Sequence, residues 1–184
     1  VEDSVRYYST YLPELYRMVL RQSAEFLKET LNEQQRKYMK RSRPKILLAT
    51  NLDDAMMMYE KYKSNLLGVI SDVGFCEHRG ERPEDEKLDA GLELVRHIKA
   101  DDPKMPILLQ SSQDSICAVA EELRVGFLRK YSKTLMIQLY EYIKEEFAFG
   151  DFVFRDADRV EYGRAANLKE LEILMREVPE DILL

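Results

Sequence analysis

The chain has 184 residues, of which 45% are hydrophobic, and a formal net charge of −6. This length favours one domain with appendages over two full domains, and the apolar content is sufficient for a core. The acidic balance argues against a general nucleic-acid binder. We interpret the basic residues between Arg36 and Lys45 as a solvated helix end and linker, with a nucleic-acid or partner contact as the less favoured alternative.

The sequence carries no sign of a membrane or secreted protein. No apolar stretch approaches the length that spans a bilayer, and no signal peptide is visible. Cys76 and Cys117 fall in different elements and not at the spacing of a metal site, which indicates a reducing compartment. The sequence therefore predicts a soluble, cytoplasmic protein with no membrane partner.

The chain opens on Val1-Glu2-Asp3, an apolar residue followed by two acids, which is typical of the end of a strand. This predicts that most of a first strand is missing and that the chain is a piece of a longer protein. Residues from about 5 to 40 have helical periodicity, and their apolar stripe suits packing on the chain's own sheet. The second half of this helix extends beyond a crossover, so a partner or homodimer surface is an equally good interpretation. The stripe comprises Leu12, Leu15, Tyr16, Val19 and Leu20.

After this helix, short apolar runs alternate with helical patterns. The predicted strands are 45–50, 66–73, 106–112 and 126–130, and the predicted helices are about 53–63, 90–100, 114–124 and 134–147. Alternation of this kind is typical of βαβ units with a parallel sheet. Together with the truncated first strand, it predicts an α/β fold with a flavodoxin-like doubly wound parallel sheet in the order 2-1-3-4-5. The charged loop 75–89 has too few apolar residues to pack and is expected to be mobile.

The last part of the chain has a different pattern. Residues 151–155 and 160–164 flank a polar turn, which predicts a β-hairpin, and Asn167 is expected to cap a short helix over 168–177. We therefore divide the chain into a domain over 1–147 and a C-terminal hairpin and helix over 148–184. The second region is interpreted as a linker or as the start of a further domain.

In this fold the carboxyl ends of strands 1, 3, 4 and 5 share one edge of the sheet. The predicted strand ends bring Glu2, Asp3, Asp72, Ser111 and Lys130 to that edge. Alone, Asp72 is better explained by a turn or a helix cap. Three converging carboxylates, however, repel one another and raise at least one pKa, which a hard divalent cation such as Mg²⁺ relieves.

A metal, a carboxylate, a hydroxyl and an ammonium around one edge suit the transfer of a phosphoryl group onto Asp72. Asp72 is then the nucleophile, and Mg²⁺ and Lys130 neutralise the phosphoryl oxygens. Ser111 donates a hydrogen bond to one of those oxygens. The metal ligands are Glu2, Asp3 and Asp72, and the backbone carbonyl of Gly74 is a candidate to complete the shell.

These motifs, in this order, resemble the receiver (response-regulator) domain of two-component signalling over about residues 1–147. No single motif is specific, but their order is. The resemblance implies that Asp72 is phosphorylated by a histidine kinase or a small acyl phosphate, that Ser111 then moves toward the phosphoryl group and that Phe127 turns inward. The matching motifs are Glu2-Asp3, Ile70-Ser71-Asp72, Ala90-Gly91-Leu92-Glu93-Leu94, Pro106 to Ser112 and Phe127-Leu128-Arg129-Lys130.

Three features depart from the family. Tyr131 follows Lys130 where the family usually has Pro, and this difference affects the switching geometry. The loop between Asp72 and Gly91 is longer than usual, and the first helix is extended. With residues 150–155 and 164–168, that helix resembles the N-terminal receiver-like region of large proteins with a downstream phosphoenolpyruvate synthase or pyruvate phosphate dikinase-like module. Such a catalytic module is not part of this chain.

Three other functions compete with a phosphoryl-accepting switch. A pseudo-receiver that docks a protein partner without phosphate is favoured by the extended helix and Tyr131, and disfavoured by the intact acidic set. An independent hydrolase acting through an aspartyl-phosphate lacks a second acid just downstream of Asp72 and a glycine-rich phosphate loop. We thus expect no independent enzyme, only self-catalysed phosphoryl transfer to and hydrolysis from Asp72. Nucleotide binding is less favoured still, because no G-x-G-x-x-G or Walker motif occurs.

Overall fold

The computed structural model describes residues 1–29, 44–147, 152–156 and 160–177. The chain divides into two compact units, one made of Val1–Glu14 and Ile46–Tyr142 and the other of Leu15–Lys45 and Ile143–Leu184. Among the described residues, none of the helices combines the length and the apolar character needed to cross a bilayer. The predicted end of the first helix, over 30–40, lies outside the described residues, as does the basic cluster up to Arg43.

The first unit contains a parallel sheet of three strands, β1 (Val69–Asp72), β2 (Ile107–Ser111) and β3 (Gly126–Arg129), in the order β1-β2-β3. All residues of the central strand β2 are buried. A parallel strand that is covered on both faces needs apolar side chains on both, which explains why Ile107, Leu108 and Leu109 follow one another without alternation. Along the register, Leu109 pairs with Ser71 on β1 and with Phe127 on β3.

Helices precede, connect and follow these strands along the chain. They are α1 (Val5–Glu29), α2 (Leu52–Tyr62), α3 (Ala90–Asp101), α4 (Ser115–Glu122) and α5 (Leu135–Glu145). The Asn51 side chain accepts a hydrogen bond of 2.8 Å from the Asp54 N–H and so caps α2. The first two N–H groups of α2, those of Leu52 and Asp53, donate to the carbonyls of Cys76 and Glu77, which ties this helix to the loop after β1.

A buried apolar layer holds α2 and α3 against the sheet. Leu94, Val95 and Ile98 of α3 are at most 1% exposed and join one cluster with Tyr59 of α2 and Leu109 of β2. These three positions lie on one face of α3, because Ile98 follows Leu94 by four residues and Val95 by three.

The prediction of a mixed α/β fold with a parallel sheet is confirmed. The predicted strand over 45–50 is wrong, because the structure assigns no strand there. One backbone hydrogen bond of 3.1 Å joins Glu2 N to Ala49 O, and a single bond does not make a ladder. On its other side the N-terminal segment bonds to β1, since Asp72 N donates to Val1 O at 2.9 Å and Val1 N donates to Ile70 O.

The loop 75–89 also differs from the prediction. Phe75 is fully buried, and its backbone forms an antiparallel bridge with Lys87 through bonds of 3.3 and 3.1 Å. A short 3-10 turn covers Pro83–Asp85. The expectation of too few apolar residues to pack was wrong at this point, because a single large aromatic side chain is enough to anchor the start of the loop.

The second unit contains a two-stranded antiparallel sheet of β4 (Phe152–Arg155) and β5 (Glu161–Ala165), followed by α6 (Leu168–Leu174). The Asn167 side chain accepts hydrogen bonds from the N–H groups of Lys169 and Glu170 and caps α6. The predicted hairpin and helix cap are both present. Arg164 of β5 forms an ion pair with Glu145 at the end of α5.

Candidate functional site

Three carboxylates meet at the carboxyl end of the sheet. Asp72 is the last residue of β1, and Glu2 and Asp3 come directly after Val1, whose backbone bonds to β1. One oxygen of each of the three carboxylates lies within 4.8 Å of the other two. Glu2 is buried, while Asp3 and Asp72 are half-buried. Carboxylate oxygens this close and this poorly hydrated have the donor chemistry of a metal site.

Lys130 supplies the positive charge of the cluster. Its Nζ donates to Glu2 Oε2 at 3.0 Å and also forms an ion pair with Asp72 Oδ2. The side chain is only 6% exposed, and Lys130 follows directly after β3. Three carboxylates and one ammonium leave two negative charges in excess when all are ionised, which a divalent cation would balance.

The pKa values show how burial affects these groups. Burial raises the pKa of Glu2, and the charge of Asp72 raises it further. Burial is also the main cause of the raised pKa of Asp3. For Lys130 burial acts to lower the pKa, but the hydrogen bond and charge of Asp72, together with the charge of Glu2, outweigh it and the pKa is raised. The expected raised carboxyl pKa is present, with burial rather than mutual repulsion as its first cause.

The backbone around Asp72 is held by a close approach of α3. Gly91 N donates to Val73 O at 2.8 Å, and a Cβ at Gly91 would collide with the carbonyl oxygen of Asp72. Asp72 Oδ1 accepts a hydrogen bond of 2.7 Å from Val73 N, and Oδ2 is paired with Lys130. One carboxylate oxygen is thus held by the backbone and the other by an ammonium.

The other predicted site residues are Ser111, Phe127 and Gly74, and their described contacts are with groups outside the three carboxylates. Ser111 ends β2; its hydroxyl accepts from Gln113 N at 3.1 Å, and its carbonyl accepts from Lys130 N at 2.9 Å. Phe127 on β3 is partly buried against the apolar cluster. Gly74 lies two residues after Asp72, with the Glu86 carboxylate packed against its α-carbon. The structure brings Glu2, Asp3, Asp72 and Lys130 together.

Sequence reasoning missed Glu86. Burial raises the pKa of Glu86, and the charges of Asp3 and Asp72 raise it further. This fourth carboxylate therefore interacts electrostatically with the cluster. It was missed because it lies in the charged loop predicted not to pack. Nothing in the local pattern distinguishes Glu86 from the acids beside it, so no sequence signal was present.

Sequence reasoning also missed an aromatic group beside Lys130. The ring centroid of Tyr7 lies 4.2 Å from Lys130 Nζ, and Tyr7 also contacts Tyr11 and Tyr131. A signal existed here, because Tyr7 and Tyr11 are four residues apart at the start of α1, directly after Glu2 and Asp3. That spacing places them on one face of the helix.

Comparison of the chain with models of protein families, with curated proteins and with solved structures finds no match. The function is therefore inferred from the geometry of the carboxylates and Lys130.

Proposed function

We propose that residues 1–147 act as a receiver-type switch in which Asp72 accepts a phosphoryl group in the presence of Mg²⁺. The observation that carries this proposal is the Lys130 ammonium, which bridges the carboxylates of Glu2 and Asp72 beside Asp3. The proposal includes a flavodoxin-like order 2-1-3-4-5, in which residues 45–50 and the N-terminal segment take the places of strands 2 and 1, although the structure assigns neither as a strand. Its support is a pair of backbone hydrogen bonds, from Glu2 N to Ala49 O at 3.1 Å and from Asp72 N to Val1 O at 2.9 Å.

The residues present fit a magnesium ion. Glu2, Asp3 and Asp72 would hold it, because their oxygens lie within 4.8 Å of one another and hard cations prefer carboxylate oxygen. The carbonyl of Gly74 is proposed as a further ligand. When bound, Mg²⁺ supplies positive charge for the oxygens of the incoming phosphoryl group.

Asp72, Lys130 and Ser111 have separate roles in the transfer. An oxygen of Asp72 forms the new bond to phosphorus, and the bond to the donor breaks with its electron pair leaving on the donor. Lys130 acts as a point charge and exchanges its contact with Asp72 for a phosphoryl oxygen. The Ser111 hydroxyl accepts from Gln113 N, so its own hydrogen stays available to a phosphoryl oxygen.

The added charge is the signal in this proposal. Movement of Ser111 and inward rotation of Phe127 would carry it to the surface, as the resemblance implies. The proposed donors are a histidine kinase or a small acyl phosphate, and the proposed recipient is a downstream phosphoenolpyruvate synthase-like module or a second copy of the chain. The free thiols of Cys76 and Cys117 fit a reducing, cytoplasmic location.

The test is the intact mass of the protein after incubation with acetyl phosphate and Mg²⁺. We expect the mass of one phosphoryl group to be added to the wild type and to the control Asp53→Asn, which alters an exposed aspartate. We expect no addition to Asp72→Asn or without Mg²⁺. Equal labelling of Asp72→Asn would show that the acceptor is another residue.

A phosphate-independent docking module is the second candidate. The observation that favours it is that Lys130 is already neutralised by Glu2 and Asp72, so the cluster is satisfied in part without phosphate. Absence of labelling in a folded wild type would support this candidate. Absence of Mg²⁺-dependent binding of beryllofluoride, a phosphoryl mimic, would strengthen it.

A further inference from the structure

The Lys130 ammonium has carboxylates on one side and an aromatic face on another. Its Nζ is 3.0 Å from Glu2 Oε2 and 4.2 Å from the centroid of the Tyr7 ring. An ammonium within about 6 Å of a ring centroid is attracted by the negative face of the ring. Tyr7 is thus a third group that holds the cation, in addition to Glu2 and Asp72.

Two further tyrosines hold the Tyr7 ring. Tyr131 meets it edge-on, with centroids 5.7 Å apart and planes at 70°, and Tyr11 stacks on it at 6.3 Å and 15°. Burial raises the pKa of Tyr7, and a hydrogen bond with the Tyr131 side chain is the next cause. The orientation of the Tyr7 ring is therefore set by aromatic neighbours and not by α1 alone.

Tyr131 makes this contact from an unusual backbone conformation. Its φ is +68°, in the left-handed region that a bulky non-glycine residue rarely adopts. Its side chain is 69% exposed, so burial of the ring does not explain the conformation. Strain of this kind is retained where the surrounding structure requires it, and here it directs the residue next to Lys130 onto Tyr7.

We propose that Tyr7, buttressed by Tyr131, is a positioning residue that holds the Lys130 ammonium at the carboxylate cluster. A lysine side chain has four rotatable methylene links and loses considerable rotamer entropy when it is fixed. The ring face removes part of that freedom before any phosphoryl group arrives. The placement of the ammonium does not depend on the proposed function, whereas its effect on phosphoryl transfer rests on that function.

The first test is the NMR position of the Lys130 ε-methylene protons, which a ring face shifts upfield. We expect the upfield shift in the wild type and in Tyr7→Phe, and its loss in Tyr7→Leu. Tyr131→Asn, which tolerates a positive φ but lacks the ring, should reduce the shift. No upfield shift in the wild type, or an unchanged one in Tyr7→Leu, would overturn the inference.

The second test is the initial rate of phosphoryl uptake from acetyl phosphate with Mg²⁺. Loss of a cation–π contact predicts a rate for Tyr7→Leu that is roughly two- to thirty-fold lower, whereas Tyr7→Phe stays within about twofold of the wild type. The neighbouring Tyr8→Leu serves as the matched control, and thermal unfolding checks that each variant is folded. If Tyr7→Leu unfolds, the shift in the wild type and the rate of Tyr131→Asn decide the question.

The outcomes separate the two proposals. A wild type that takes no phosphoryl group contradicts the proposed function, and the NMR test then decides the placement of the ammonium alone. A wild type that is labelled, with Tyr7→Leu as fast as Tyr7→Phe, contradicts the positioning role and leaves the proposed function intact.

Discussion

The first unit buries two kinds of surface to a similar degree but with opposite energetic effects. Ile107, Leu108 and Leu109 in the middle of the sheet are at most 1% exposed, and Glu2 and Lys130 at its edge are 6% exposed. Apolar burial is favourable, at about 25 cal/mol per Å². Burial of charge is costly unless partners offset it. The comparison indicates that the apolar layer supplies the stability that a charged edge requires.

The largest effect is expected in the apolar layer. Leu109→Ala leaves a cavity in the apolar layer between the sheet and its helices and should lower the free energy of unfolding by about 2–5 kcal/mol, measured by urea denaturation. Ile137→Ala, at a position that is 60% exposed, is the control and should stay within about 0.5 kcal/mol of the wild type. Equal losses in the two variants would show that the apolar layer is not the main source of stability.

An intermediate effect is expected where the two regions meet. Gly91→Ala places a methyl group against the backbone of Asp72, which should lower the free energy of unfolding by about 1–3 kcal/mol and displace the carboxylate. In Gly126→Ala the atoms nearest to the added methyl group belong to the side chain of Tyr142 and not to the backbone of Asp72. Amide chemical shifts near Asp72 and Lys130 should change in Gly91→Ala and not in Gly126→Ala. Unchanged shifts in both would show that the approach of α3 does not position the site.

The smallest effect concerns a polar group inside the apolar layer. Tyr59 is 2% exposed, and its hydroxyl donates to Asp101 Oδ2 at 2.8 Å. Tyr59→Phe removes this bond, so the expected cost at neutral pH is about 1 kcal/mol. The measurement is again the free energy of unfolding.

The same variant tests a pH dependence. Burial raises the pKa of Tyr59 from 10.0 to about 12. Between these values the unfolded chain loses the phenol proton while the folded chain keeps it, so stability falls as pH rises. The free energy of unfolding of Tyr59→Phe should fall less steeply over that interval, although Tyr11, whose pKa is also raised to about 12, still contributes. Parallel pH profiles for the variant and the wild type would show that the Tyr59 phenol has a similar environment in the folded and unfolded chains.

Much of the fold could be predicted because its signals are local. The apolar run of β2 and the side chains of Asn51 and Asn167 at helix starts act through neighbouring residues. The predictions were wrong where contacts between residues far apart in the sequence determine the structure. Residues 45–50 are not assigned as a strand, since a strand needs a partner ladder that a local pattern does not reveal. Phe75 anchors the charged loop because its ring packs in a core that residues from other parts of the chain form.

For the candidate site, the sequence by itself determined which groups could meet. Glu2, Asp3, Asp72 and Lys130 follow strand-like segments, and parallel strands present their carboxyl ends at one edge. Only the tertiary structure decided how these groups are paired. It placed Lys130 between Glu2 and Asp72, the Tyr7 ring on its ammonium and Gly91 against the Asp72 backbone. Those contacts depend on how helices pack on the sheet, and packing is set by side chains far apart in the chain.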